Sequence, residues 1–531
     1  MPSATTPAAR RSSTIRAVIA SVTVLAVIVG LTAAAFGAVF VQRSTPTEPP
    51  DDNPINRDGR PLQPVPEVTP DGMTERPAEI DELGWDGQDF AWQPCEGGEC
   101  AEVLAPLDWD DPAGPTAITL FMRKVPATQS PRLGTIFVNP GGPGGSGADF
   151  ATGFDRTGLE QYDIVGWDPR GVGASTPVVC SDTDMEILFN QDSSPDDEAE
   201  REDLMQAEVN LGASCLENSG QLLENISTVD TVQDLDMLRS LVGDRRLNYY
   251  GASYGTEVGA RYASMFPQTS GRLVLDSAVD ITGEEEVAQS EGFQRALENF
   301  SQWCAEQEQC VLGGSAEEVM GVVTDLTVKL DSEPVSVGNR SLTQSAFVTA
   351  VAQMLYSDES VWSYLGQGVD DARNGDGQLM LAIADSYWNR NDDGSYGGLL
   401  KSFNAIRCLD EPDEGYAGAD ADAAAAAEVS PWAGRFMGPD YGCPSWPVAA
   451  IEDPGPIEAE GAEPILVVGT TGDSATPYEN AVSMADQLGV GRLLTFEGNG
   501  HVAYGRNECV NTTIRDYFLD RVPEDETTCS A

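Results

Sequence analysis

LNYYGASYGTEVGARYASMF, residues 247–266, sets Ser253 between two glycines where an apolar run gives way to an amphipathic one. LNYY reads as a buried strand and TEVGARYASMF as a helix, so the serine falls on the sharp turn between them. That arrangement is a nucleophile elbow: the hydroxyl is held at the positive end of a helix, and Gly251 and Gly255 let strand and helix approach closely. The same five residues also fit a Gly/Ser turn without chemistry. The rest of the chain decides between the two.

A serine hydroxyl is a poor nucleophile at neutral pH and needs an adjacent base, most often imidazole. The chain contains a single histidine, His501, in FEGNGHVAYG directly after the last predicted core strand. The third member should be a carboxylate that fixes the imidazole tautomer, and in an elbow fold it lies between serine and histidine in the chain. Asp473, in VVGTTGDSATPYENA, is preferred because loops after the last strands converge at one end of a parallel sheet. Asp276, ending RLVLD, competes; it is expected to cap its strand or to support the helical block that follows. For the developing oxyanion, VNPGGPGGSG at 138–147 is a loop able to present backbone N–H groups, with Gly142 and Tyr254 as the expected donors. A phosphate-binding reading fails, since neither Gly-Lys-Ser/Thr nor dinucleotide spacing follows the glycines. No metal and no organic cofactor are implied.

Apolar runs at 117–123, 134–139, 162–167, 247–251 and 272–276 alternate with helical periodicity, as in VDTVQDLDMLRSLVG, and imply an α/β fold with a mainly parallel sheet. From 281 to 455 the pattern changes to helix and loop, with five of the nine tryptophans, most of them expected in its core. Strands resume at 464–469 and 492–498. The layout is an α/β-hydrolase core, 83–280 and 456–531, interrupted by a helical cap, 281–455. Within the rest, QDSSPDDEAERED at 191–203 is expected to be a mobile acidic loop. Asp168 and Arg170 in WDPRGVG are expected to brace the glycine loop. Glu284, Glu285 and Glu286 open the cap as a solvated acidic start.

Ahead of the core, residues 17–41 carry no charge and are long enough to span a bilayer, with Arg10, Arg11 and Arg16 before them. Residues 1–43 are therefore a signal peptide or an N-terminal anchor with the remainder outside the cytoplasm, and 44–82, rich in Pro and Asp, a linker. Ten cysteines, several as near neighbours (95/100, 180/215, 304/310, 408/443, 509/529), suit disulfides in an oxidising compartment, although spacing leaves the connectivity open. With 30 Lys+Arg against 86 Asp+Glu, the net charge of -56 would repel phosphate backbones, which excludes a nucleic-acid partner.

NPGGPGGSG, GWDPRGVGAS, GASYG, GTTGD and NGH, in this order and spacing, resemble the tripeptidyl aminopeptidases of actinobacteria, α/β-hydrolase serine peptidases related to proline iminopeptidases. The resemblance spans about 85–520. Proline iminopeptidases usually begin the glycine loop with His-Gly-Gly-Pro-Gly, whereas here Asn139-Pro140 precede Gly141-Gly142, which points to the tripeptidyl branch. It implies Ser253, Asp473 and His501 as the triad, and a cap that selects peptides with a free N-terminus. A carboxylesterase acting on cell-envelope esters with the same triad is the alternative, and a surface binding protein that lost catalysis a third reading.

Overall fold

The computed structural model describes residues 64–283, 287–412, 414–451 and 454–531. The expected membrane-spanning segment at 17–41 and the triplet Glu284, Glu285 and Glu286 lie outside the described residues. Among the described residues, no helix is long and apolar enough to cross a membrane.

The strands are β1 (Thr74–Glu75), β2 (Gln93–Cys95), β3 (Gly98–Pro106), β4 (Thr116–Val125), β5 (Gly134–Asn139), β6 (Tyr162–Asp168), β7 (Leu247–Ala252), β8 (Ser270–Asp276), β9 (Val335–Val337), β10 (Arg340–Leu342), β11 (Ile465–Gly472), β12 (Gly491–Asn499) and β13 (Thr527–Ser530). The main sheet runs β13-β12-β11-β8-β7-β5-β6-β4-β3-β2, with β1 paired to β4. From β6 to β13 its neighbours are parallel, and β4, β3, β2 and β1 extend it antiparallel.

A parallel sheet needs crossover helices and is buried on both faces, so its strands alternate between two cores. Leu273 and Leu275 of β8, with Ile465 and Val467 of β11, face the side carrying the helices Thr228–Leu241, Tyr254–Met265 and Tyr478–Gln487. Val274, Leu466 and Val468 face the helices Gly147–Gly153 and Glu508–Phe518. Register carries the strand ends to one edge: Asn139 lies opposite Gly251, Ala252 opposite Asp276, and Asp276 opposite Val468. The loops after β5, β7, β8, β11 and β12 therefore meet there.

Between β8 and β11 the chain is helical, apart from the short β9–β10 hairpin. Trp362, Trp388, Trp432 and Trp446 are buried in it. Two expectations are corrected. Residues 191–203 are no free acidic loop: Asp197 caps the helix Glu198–Ser219 in a reciprocal capping box with Glu200. Ser193 N–H and Ser194 Oγ also donate to Ser345 Oγ and Gln344 Oε1 of the helical block. The last part of the expected linker is docked, with β1 on β4, Arg76 N–H on Pro115 O and Ile80 buried.

All ten cysteines are paired between near neighbours: Cys95–Cys100, Cys180–Cys215, Cys304–Cys310, Cys408–Cys443 and Cys509–Cys529. Five disulfides are the chemistry of an oxidising, extracytoplasmic compartment.

Candidate active site

Ser253 sits between β7 and the helix Tyr254–Met265 with φ 56° and ψ -130°. A non-glycine residue in that region costs about 1–3 kcal/mol and persists only where its surroundings over-determine it. They do so here. Ser253 N–H donates to Asp276 O, while its carbonyl accepts from Thr256 N–H and Thr256 Oγ1. A Cβ on Gly251 would lie 2.2 Å from Gly255 O, so strand and helix touch where only glycine fits.

The glycine loop folds over this elbow. Asn139 Oδ1 accepts Gly141 N–H at 2.7 Å, and a Cβ on Gly141 (φ 95°) would stand 2.4 Å from Ala252 O and 3.0 Å from Tyr254 N. Gly142, one expected oxyanion donor, follows directly in the loop, and Tyr254, the other, is the residue that Gly141 approaches. Asp168 holds the loop from behind: its carboxylate accepts from Ser146 Oγ, Ala148 N–H and Ala174 N–H. Arg170 serves elsewhere. It is fully buried, pairs with Asp234 at 2.7 Å and donates to Leu107 O and Asn225 O, locking the helix Thr228–Leu241 to the core.

Asp473 and His501 meet at the same sheet edge. His501 Nδ1 lies 2.9 and 3.0 Å from the two Asp473 oxygens, and both residues are buried. Burial pushes the Asp473 carboxyl up, but the imidazole, Thr476 N–H and the Ser277 hydroxyl outweigh it and hold the group below the usual carboxylate range. Thr476 Oγ1 adds a contact of 3.2 Å to Nδ1. Among the described residues, His501 Nε2 is buried with no hydrogen-bond partner. With Nδ1 committed to the carboxylate, this second nitrogen is the one available to exchange a proton.

Asp276, the competing acid, does not touch the imidazole nitrogens. Its carboxylate accepts Ala503 N–H, Tyr504 N–H and the Tyr250 hydroxyl. Burial raises it, against those hydrogen bonds. It anchors the histidine loop, a role that neither expectation for it, strand cap or support of the helical block, had included.

The helical block packs against the site, among other places, at the histidine loop and behind Tyr254. Tyr356 O, at the end of the helix Gln344–Leu355, accepts His501 N–H at 2.8 Å, and the Tyr356 ring packs edge-on to the imidazole at 5.5 Å. Asp410, ending the helix Leu399–Asp410, accepts from Thr228 N–H and Oγ1, and Thr228 Oγ1 meets the Tyr254 hydroxyl. Ser253, Asp473 and His501 are at most 2% exposed, so the site is enclosed. Thr228, Ser277, Tyr356 and Thr476 were not singled out from the sequence. Only Thr476 carried a signal, a hydroxyl three residues beyond the acid in a rigid Thr-Pro turn.

Comparison with known proteins agrees with this architecture. Residues 430–529 match the family model described as TAP-like protein. The chain is 34% identical to serine protease Hip1 of Mycobacterium tuberculosis over 474 residues, 82% of this chain and 89% of the relative. It is 36% identical to carboxylesterase B of the same organism over 444 residues, 79% and 84% of the two chains. To tripeptidyl aminopeptidase of Streptomyces lividans it is 29% identical over 471 residues, 84% and 86%. The chain belongs to this TAP-like family of α/β-hydrolase serine hydrolases.

Proposed function

We propose that the protein is an extracytoplasmic serine exopeptidase that releases short peptides, tripeptides in the main reading, from unblocked N-termini. Ser253 is the nucleophile, His501 the general base and acid, Asp473 the residue that holds the imidazole, and the Gly142 and Tyr254 N–H groups the oxyanion donors. Ser253 Oγ adds to the scissile carbonyl carbon while His501 Nε2 takes its proton. The tetrahedral oxyanion is held by the two backbone donors, where each is worth on the order of a hundredfold in rate. As the C–N bond breaks, His501 returns the proton to the leaving amine. Water, deprotonated by the same nitrogen, then hydrolyses the acyl-enzyme. The carrying observation is the buried Asp473–His501 pair with one ring nitrogen left unpartnered.

Residues 281–455 act in this reading as a cap that closes over the triad and selects the peptide. The kinship with tripeptidyl aminopeptidase and serine protease Hip1 supports peptide substrates. The relative named carboxylesterase B supports a second reading, ester hydrolysis by the same groups. A fluorophosphonate should label the wild type and not Ser253→Ala. Hydrolysis of a free tripeptide amide, its N-acetyl form and a short acyl ester then separates the readings. Equal turnover of free and acetylated peptides refutes the exopeptidase, and activity on the ester alone selects the second reading.

A further inference from the structure

Asp276 and Ser277, at the C-terminal end of β8, touch all three proposed catalytic elements. The Asp276 carbonyl accepts Ser253 N–H at 2.9 Å. Its carboxylate takes Ala503 N–H at 3.0 Å and Tyr504 N–H at 2.9 Å. Ser277 Oγ accepts Val502 N–H at 2.8 Å, and the same hydroxyl faces the Asp473 carboxylate and helps to hold it low. Ser277 N–H in turn donates to Val468 O of β11, the strand that leads to Asp473. Three consecutive amides after His501 are thus held by two consecutive residues, and the hydroxyl that holds the first of them also faces the acid.

The backbone marks the same point. Ser277 has φ 60° and Val502 φ 68°, both left-handed without being glycine, and the two are hydrogen-bonded to each other. For a β-branched valine this conformation is a true outlier. Strain held on both sides of one hydrogen bond means that the bond, rather than local preference, fixes how the loop leaves His501.

We propose that Ser277 is a positioning residue of the hydrolytic reaction, with Asp276–Ser277 the junction that sets serine, acid and histidine relative to one another. The inference rests on the assignment of Ser253, Asp473 and His501 above. Ser277→Ala removes the hydroxyl that faces Asp473 and leaves Val502 N–H without its acceptor. Without that hydroxyl the carboxylate attracts the imidazolium more strongly, so the acid limb of the pH–rate profile moves to higher pH. The other groups facing Asp473 and His501 are Arg506 of the histidine loop, Arg295 of the helix Gln289–Glu306, Asp276 and the Tyr356 ring. Asp358 and Glu359 lie behind Arg506, and Glu479 and Glu291 around Arg295. None is altered by the substitution.

The test measures kcat, KM and the acid limb of kcat/KM on the substrate the wild type prefers, normalised to sites titrated by a fluorophosphonate. Ser277→Ala should lower kcat about tenfold to a hundredfold, the range set by leaving one buried N–H without its acceptor, with KM little changed. Ser277→Cys, nearly isosteric with a weaker donor, should fall between it and the wild type, and serves alone if the alanine variant does not fold. Wild-type kcat and an unmoved acid limb in whichever variant folds overturn the proposal. A loss of titratable sites with normal turnover per site makes Ser277 merely structural and overturns it equally. If the wild type is not labelled at Ser253, the assignment itself fails; labelling with normal Ser277 variants refutes this inference alone.

Discussion

Glu208→Gln should stabilise the protein at alkaline pH and leave it almost unchanged at about pH 4. Glu208, on the helix Glu198–Ser219, shares Arg407 with Asp440 and Glu411, so one cation serves three carboxylates. Arg407 Nη1 pairs with Asp440 at 2.5 Å. Burial, and then the Asp440 charge, push Glu208 up to about 8, with Arg407 pulling it only partly back. Glu411 is raised in the same way, to about 7. The folded value of Glu208 lies above the unfolded one, so the folded state keeps a proton that the unfolded chain releases. Stability is intact below about 4.5, the ordinary glutamate value, falls as pH rises, and levels off above about 8. At about 1.4 kcal/mol per unit, that interval sets a ceiling of about 5 kcal/mol for Glu208. The carboxyl is enclosed but the residue as a whole is half-buried, and solvent screening reduces the gain to about 1–3 kcal/mol. Glutamine copies the protonated acid at every pH, so the difference between variant and wild type isolates this group from Glu411. Urea unfolding at pH 4 and pH 9 should give nearly equal free energies at the first and a more stable variant at the second. A gap independent of pH, or a variant less stable at pH 9, refutes the reasoning.

Further outcomes follow from the site. Gly141→Ala places a Cβ 2.4 Å from Ala252 O at φ 95°, so the loop must shift away from Tyr254 N; per-site turnover should fall at least about tenfold with circular dichroism unchanged. Asp276→Asn keeps one acceptor oxygen where Ala503, Tyr504 and Tyr250 now bond to two; kcat should fall with little change in KM, and stability by about 1–3 kcal/mol in urea unfolding. Asp473 is held below the usual carboxylate range, so its contribution is present above the unfolded value and lost as pH falls through the folded one. The stability gap between wild type and Asp473→Asn should therefore close as the solution is acidified below about pH 4, measured by acid unfolding.

What the sequence made legible follows the range of each interaction. GTIFVN could be bounded at 134–139 because a strand buried on both faces is a continuous apolar run, and β5 has those bounds. GECAEVLAP could not, because an antiparallel strand near the sheet margin alternates charged and apolar residues; it became β3, with Glu102 exposed between Ala101 and Val103. The acidic stretch at 191–203 misled through composition, although Asp197 and Glu200 stand at capping-box spacing and carried the correct signal. Ser253, Asp473 and His501 were readable as candidates because each lies in a local pattern, and because the histidine has no rival in the chain.

The support for those three residues had no such pattern. Asp276 meets Ala503 and Tyr504 across 227 and 228 residues, and Ser277 meets Val502 across 225. An aspartate and a serine at a strand end look the same in sequence whether they cap the strand or hold a distant loop; only strand order, which puts β8 between the elbow strand and the acid strand, distinguishes the cases. The same holds for Tyr356, whose contribution to the histidine loop is a backbone carbonyl that any residue supplies. The catalytic side chains were therefore visible from the chain, while the groups that aim them were not, because each of those finds its partner in a distant stretch of backbone that no local pattern marks. Substitutions at Ser277 address the second kind of information directly, and substitutions at Tyr356, where the main chain does the bonding, should move kcat less than those at Ser277 do.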